Sequence, residues 1–89
     1  MFTSWGVETT RKFTADEIAQ HLNTISTDAS FGTVLRAKGI VEGVDGNWIH
    51  FDYVPGSSDI RTGHADITGR ICVIGANLNK EKVSELFNL

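Results

Sequence analysis

The sequence predicts an α+β domain: a mostly antiparallel sheet of four to five strands with two helices packed on one face, in the order β-α-β-β-β-β-α. Three observations carry this. Two helical segments open with N-cap signatures, at Thr14 and at Asn79. Between them lie short runs rich in β-branched and aromatic residues, punctuated by Gly, Pro, Asn and Asp. Each helix has one apolar stripe, which a sheet is needed to bury.

Residues 2–9 read as a strand with Trp5, Val7 and Thr9 on one face. Thr14-Ala15-Asp16-Glu17 then has the form of a capping box, in which the Thr14 hydroxyl accepts from the Glu17 N–H and the Glu17 carboxylate reaches back to the Thr14 N–H. Phe13 and Ile18 flank it as a hydrophobic staple, and Ile18, Leu22 and Ile25 continue the stripe. The cap and turn formers at 26–30 end the helix. Residues 31–44 and 47–54 read as two strands joined at Asp45-Gly46, a strong hairpin dipeptide. A two-residue turn there sets Ile40 opposite Phe51 and Lys38 opposite Tyr53. Ile49 and Phe51 then share a face with Ile40, and the other face collects Ala37, Gly39, Val41, Trp48, His50 and Asp52. Neither face is cleanly polar, and Gly39 is a position where a bulge can reset the register. Residues 55–58 read as a loop, 59–67 as a polar edge strand, and 70–76 as a short buried strand. Asn79 caps the final helix, with Leu78 and Val83 as a second staple and Val83, Leu86 and Phe87 as its stripe.

A chain of 89 residues is one small domain. It has room for one modest core and little for a deep active site. Eight basic residues against eleven acidic ones give a net charge of −3, which argues against a nucleic-acid partner, since such binders present a basic footprint. The single cysteine, Cys72, allows no internal disulfide and reads as a buried structural thiol. No apolar run is long enough to span a membrane and the N-terminus lacks a secretory layout, so a cytoplasmic location is expected.

Several segments, taken in order, resemble one family. Val34-Leu35-Arg36-Ala37-Lys38-Gly39-Ile40 is similar to the "LRAKG" strand of the CobW C-terminal domain. Trp5 lies in an opening strand and Phe13 precedes an acid-capped helix. Trp48-Ile49-His50-Phe51-Asp52 resembles that family's second hairpin strand, and Arg70-Ile71-Cys72-Val73-Ile74-Gly75 its closing strand before the final helix. The resemblance implies that residues 1–89 are a single CobW C-terminal-like domain excised from a larger protein. That family consists of P-loop GTPases linked to delivery of zinc or cobalt and to cobalamin synthesis. The implied partners are the N-terminal P-loop GTPase domain of the same parent and a metalloenzyme client. This sequence has no G-x-x-x-x-G-K-[ST] motif and no cysteine-rich metal motif, so neither GTP nor the family's metal site can be assigned to any residue here. No enzyme activity and no resident cofactor are expected of the chain by itself.

Three groups of residues bear on function. Arg36 and Lys38 alternate with Leu35 and Ala37, so they point from one strand face toward an acidic partner surface; the simpler reading is that their stems cover apolar neighbours. Trp48 joins them as an interface anchor if it faces outward. His50-Phe51-Asp52 and His64-Ala65-Asp66 each set an imidazole and a carboxylate on one strand side. Brought together, His50, Asp52, His64 and Asp66 offer four N/O ligands suited to zinc, although the spacing is no recognised metal motif. Two main functions follow. One is a non-catalytic module that docks on the GTPase domain or a client. The other is a small metal- or ligand-binding sensor using the His/Asp pairs. An RNA-binding domain is a third, disfavoured by the acidic charge.

Overall fold

The structure, a computed structural model, describes residues Met1–Leu89. It contains β1 (Phe2–Thr9), α1 (Ala15–Thr27), a 3₁₀ turn (Ala29–Phe31), β2 (Thr33–Glu42), β3 (Trp48–Val54), β4 (Ser57–Gly63), β5 (Gly69–Ala76) and α2 (Lys80–Leu86). The five strands form one sheet in the order β1-β5-β2-β3-β4, and every neighbouring pair is antiparallel. The α+β architecture and the element order are as the sequence predicts. No helix is long and apolar enough to cross a membrane.

Local chemistry explains the helix ends. Thr14 Oγ1 accepts the Glu17 N–H at 3.0 Å, and Asn79 Oδ1 accepts the Lys82 N–H at 3.1 Å. The reciprocal half of the Thr14 capping box does not form. Arg11 Nη2 donates to Glu17 Oε2 at 2.6 Å, and this charge-assisted bond holds the carboxylate away from the Thr14 N–H.

The hairpin register differs from expectation by one residue. Ile40 lies opposite His50, and Lys38 opposite Asp52. The turn is the cause. Gly46 N–H donates to Gly43 O at 3.0 Å, and Gly46 alone takes positive φ, at 89°. This is a type I turn followed by a left-handed glycine, a three-residue loop rather than the two-residue turn that needs positive φ at both positions. Asp45 Oδ1 stabilises it by accepting the Asn47 N–H at 3.0 Å. The two-residue turn occurs instead at Pro55-Gly56, where Val54 faces Ser57 and Gly56 has φ 84°. Pairing therefore begins at Ser57, and the polar edge strand ends at Gly63 rather than 67.

One slipped residue exchanges the faces of a strand. In the observed register Ala37, Gly39 and Val41 of β2 share a face with Ile49, Phe51 and Tyr53 of β3, and all six are buried. Ile71 and Val73 of β5 extend this face, with Trp5 and Val7 of β1 packed against it. The helices cover it with Ile18, Leu22 and Ile25 from α1 and Val83 from α2, while Phe13 and Phe87 add the largest rings. Phe87 stacks on Trp5 with centroids 5.9 Å apart and meets Phe13 edge-on at 6.4 Å.

The bulge lies at Leu35, not Gly39. Val34 faces Gly75 and Arg36 faces Ile74, so Leu35 is the extra residue. Gly75 allows it, because a Cβ there would collide with the Thr33 carbonyl. Gly39 instead makes room for a ring, since Phe51 occupies the space where its Cβ would stand.

Candidate functional site

The second face of the sheet carries no helix. From β2 it presents Arg36, Lys38, Ile40 and Glu42; from β3, Trp48, His50 and Asp52; from β4, Asp59 and Arg61; from β5, Arg70, Cys72 and Ile74. The Leu35 bulge makes this set possible. Regular alternation would place Arg36 on the same side as Val34, which is buried in the core. The extra residue turns Arg36 outward beside Lys38 while leaving Val34 inside.

Its charges are arranged as a ladder. Arg36 Nη2 lies 3.5 Å from Asp52 Oδ1, Arg61 Nη2 is 3.3 Å from Asp52 Oδ2, and Arg61 Nη1 is 2.6 Å from Asp59 Oδ2. These side chains are 38–65% exposed, so the pairs add little to stability and remain accessible to a partner's charges. Arg70 is held by Asp66 at 3.3 Å. Lys38 makes no ion pair, although it stands opposite Asp52 on one side and Cys72 on the other. A shallow depression lined by Lys38, Gly39, Ile40, Arg70, Ile71 and Cys72 lies beside it. Apolar surface accompanies the charge: Phe2 is 72% exposed and Ile74 38% exposed, while Trp48 is half-buried. Arg36, Lys38 and Trp48 thus lie on one face. Cys72 is half-buried on that face rather than inside the core, because a residue opposite Gly6 and Lys38 points away from the helices.

The four residues expected to meet at a metal are only partly assembled. His50 and His64 come together, with ring centroids 4.9 Å apart and planes at 70°. Asp52 is taken by Arg36 and Arg61. Asp66 accepts the Ile67 N–H at 2.7 Å and pairs with Arg70. No group of three or more His, Cys, Asp or Glu side chains stands where it could hold a metal ion, so the four-ligand arrangement is not formed. The reason is topological. His64 and Asp66 lie after β4 ends, in the connection running from the sheet edge past β3 and β2 to β5, and no strand alternation fixes them on one side.

That connection explains why His50, on the helix-free face, is only 8% exposed. Its Nε2–H donates to the His64 carbonyl at 2.8 Å, and its ring lies where a Gly63 Cβ would be. Thr68 Oγ1 adds a weaker bond to Thr9 O at 3.3 Å.

A second polar cluster lies beside Phe87, the residue that follows α2. Arg11, Glu17 and His21 surround one carboxylate, with His21 Nε2 at 3.4 Å from Glu17 Oε2 and the imidazole edge-on to Phe87 at 5.2 Å. The Arg11 guanidinium lies 4.2 Å from the centroid of the Phe13 ring. Burial lowers the His21 pKa below its ordinary value and outweighs the opposing pull of Glu17. Burial also acts on Glu17, in the raising direction, but the bonds and charge of Arg11 together with the Thr14 and His21 contacts bring it below the usual carboxylate value. Only the proximity of Arg11 to an acid six residues on could have signalled the pair from the sequence.

Comparison with known proteins adds the following. Residues 2–88 match the family described as "Cobalamin synthesis protein cobW C-terminal domain". The fold is similar to that of the Zn(II)-bound YjiA GTPase from E. coli, at a TM-score of 0.75 and 21% identity over 97% of this chain. It is equally similar to a Zn(II)-bound triple mutant of YjiA GTPase, at a TM-score of 0.77 and 21% identity over 97% of the chain. In both cases the chain spans 28% of the length of the solved protein. A search of curated proteins gave no match.

Proposed function

Because this chain belongs to the CobW C-terminal domain family, we propose that it is a non-catalytic accessory module that docks through its helix-free sheet face on the GTPase domain of its own parent protein. The observation that carries the reading is the composition of that face. Exposed Phe2 and Ile74, half-buried Trp48 and the unpaired Lys38 lie on one side of a sheet whose other side is fully used by the core. Exposed apolar surface rimmed by charge is typical of a protein-binding surface. The chain's share of the YjiA structures, 28%, supports a parent with most of its length elsewhere. In this reading the parent hydrolyses GTP and takes part in delivery of a metal such as zinc or cobalt, or in cobalamin synthesis, in the cytoplasm. The domain helps to hold the GTPase domain or to present a metalloenzyme client.

The test is association between this domain and the separately produced GTPase domain of its parent. Replacing Arg36→Glu and Lys38→Glu together is expected to weaken binding by at least about tenfold, since like-charge juxtaposition at an interface costs several kcal/mol. The amide spectrum should remain dispersed, because both side chains are outside the core. Unaltered association with the double variant would move the interface to another surface.

A further inference from the structure

The edge strand β4 borders a groove that neither the core nor the helix-free face uses. Its hairpin with β3 has a two-residue turn, so Val54 and Ser57 form a hydrogen-bonded pair and such pairs recur at every second residue. Ser57, Asp59, Arg61 and Gly63 therefore bond back to β3, while Ser58, Ile60 and Thr62 direct their N–H and C=O groups away from the sheet. No backbone group elsewhere in the chain meets them. The same three residues stand opposite the buried Tyr53, Phe51 and Ile49, so their side chains are on the helix side. The charged residues of the strand, Asp59 and Arg61, are on the other side, and charge guards only that side of the edge. Helix α1 runs antiparallel to β4 here and supplies the far wall of the groove. Ala19, Asn23 and Ser26 of α1, with Ser57 and Ser58, line a depression of about 360 Å³. Tyr53 lines it too, 6% exposed, with a hydroxyl that makes no hydrogen bond within the protein. Ala15 of α1, with Phe13, Ile49 and Thr62, lines a second depression of about 200 Å³. Ser58 and Thr62 are four residues apart, about 14 Å along the strand. No cavity borders β1, the opposite edge of the sheet.

We infer that the β4 edge accepts an extended peptide segment of a partner protein as a sixth strand, lying between β4 and α1. The backbone groups of Ser58, Ile60 and Thr62 supply the hydrogen bonds, and the two depressions supply the selectivity, as in other cases of strand addition. Guest residues directly opposite these three point their side chains to the helix side, as cross-strand pairs do. Two guest side chains four positions apart thus enter the two depressions, and the one between them passes over Ile60. Phe13, Ala15 and Ile49 make the depression beside Thr62 fit an apolar side chain. Tyr53, Asn23 and Ser26 make the one beside Ser58 fit a neutral hydrogen-bonding side chain. This edge is separate from the helix-free face, so the inference stands whether or not that face docks on the GTPase domain. Its test uses this domain alone, which has its own 16-residue core.

The experiment is selection of a random twelve-residue peptide library on the 89-residue chain, then titration of the enriched peptides, made synthetically, by calorimetry and amide NMR. Enrichment of sequences with an apolar and a neutral hydrogen-bonding residue four positions apart is expected. Their 1:1 binding should shift the amides of Ser58, Ile60 and Thr62 and slow hydrogen exchange there. Two variants test the two walls. Ala19→Arg fills the groove from an exposed helix position and should weaken binding by at least about tenfold through a direct clash. Thr62→Pro removes one outward N–H and no bond to β3, and should weaken binding about five- to tenfold through the lost hydrogen bond. Dispersed amide spectra of both variants show that the fold is kept. Absence of any enriched peptide, unchanged exchange at Ser58, Ile60 and Thr62 on saturation, or two folded variants that bind as the parent chain does would overturn the strand addition. Shifts centred on β1 or on the helix-free face would overturn it as well. Concentration-dependent shifts of the β4 amides without peptide would overturn the peptide reading by giving the edge to a second copy of the chain.

Discussion

Glycine at position 39 shows how one residue controls the central strands. It lies in β2 opposite Phe51, whose ring covers the backbone where a side chain would begin; a Cβ would come within 2.5 Å of Phe51 Cζ and 2.8 Å of the Arg70 carbonyl. Neither neighbour has room, since Phe51 is 1% exposed and the carbonyl belongs to β5. Gly39→Ala should therefore destabilise the domain by about 1–3 kcal/mol through overpacking. Gly6 is the internal comparison. Its Cβ would meet only the Ile71 carbonyl at 3.8 Å, an ordinary contact, and Gly6→Ala should be neutral or mildly stabilising. Urea unfolding of the two variants separates close packing from the general effect of removing a strand glycine.

Among the elements, α1 is held at its first two turns by charge as well as by packing. Arg11 grips Glu17, and His21 lies one turn further on against Phe87. Both titrating groups have folded-state pKa values below their ordinary ones. For each, the unfolded chain binds the proton more readily, so stability rises with pH across the interval between folded and unfolded values. The contribution of His21 is complete above about 6.5 and is lost as pH falls below it; that of Glu17 is lost in turn below about 4.5. Urea midpoints should thus drop between pH 7 and pH 5. His21→Gln should flatten that part of the curve while leaving the decline below pH 4.5. A wild-type midpoint that rises on acidification would contradict this assignment.

For the molecule as a whole, the C-terminal helix is too short to be stable by itself and depends on one anchor. α2 has seven residues and one fully buried side chain, Val83, and Phe87 follows it at 0% exposure. Phe87 gathers Trp5 from one sheet edge, Phe13 from the β1–α1 connection and His21 from α1. The Asn79 N–H, bonded to the Phe31 carbonyl at 3.0 Å, and the Leu78 N–H, bonded to Thr3 Oγ1 at 3.2 Å, fix where the helix starts. Phe87→Ala should cost about 3–5 kcal/mol, a large share of the roughly 5–15 kcal/mol available to a small domain. In a Trp48→Phe background the emission of Trp5 reports the loss directly. A midpoint within error of the parent's would show that α2 is not an integral part of the core.

Residue order alone dictates the elements and most of their ends. Thr14 and Asn79 cap helices through side-chain oxygens that act within three residues, and the apolar stripes of both helices follow from local spacing, so no tertiary knowledge is needed to see them. The family resemblance rests on the same local order of motifs. The register of the β2–β3 hairpin was not legible, because Asp45-Gly46 serves two turn types and the choice between them shifts every cross-strand pair. The Leu35 bulge was hidden for a related reason: what permits it is Gly75, far along the chain and across the sheet. Only these two features decide that Ala37, Gly39 and Val41 face the helices while Arg36, Lys38 and Trp48 share the free face. The candidate metal residues divide in the same way. Strand alternation puts His50 and Asp52 on one side, but His64 and Asp66 lie in a crossover whose path is set by the strand order β1-β5-β2-β3-β4. Local propensity and capping act over a turn or a strand and can be read from the residues, whereas register and crossover path depend on which distant backbones pack together.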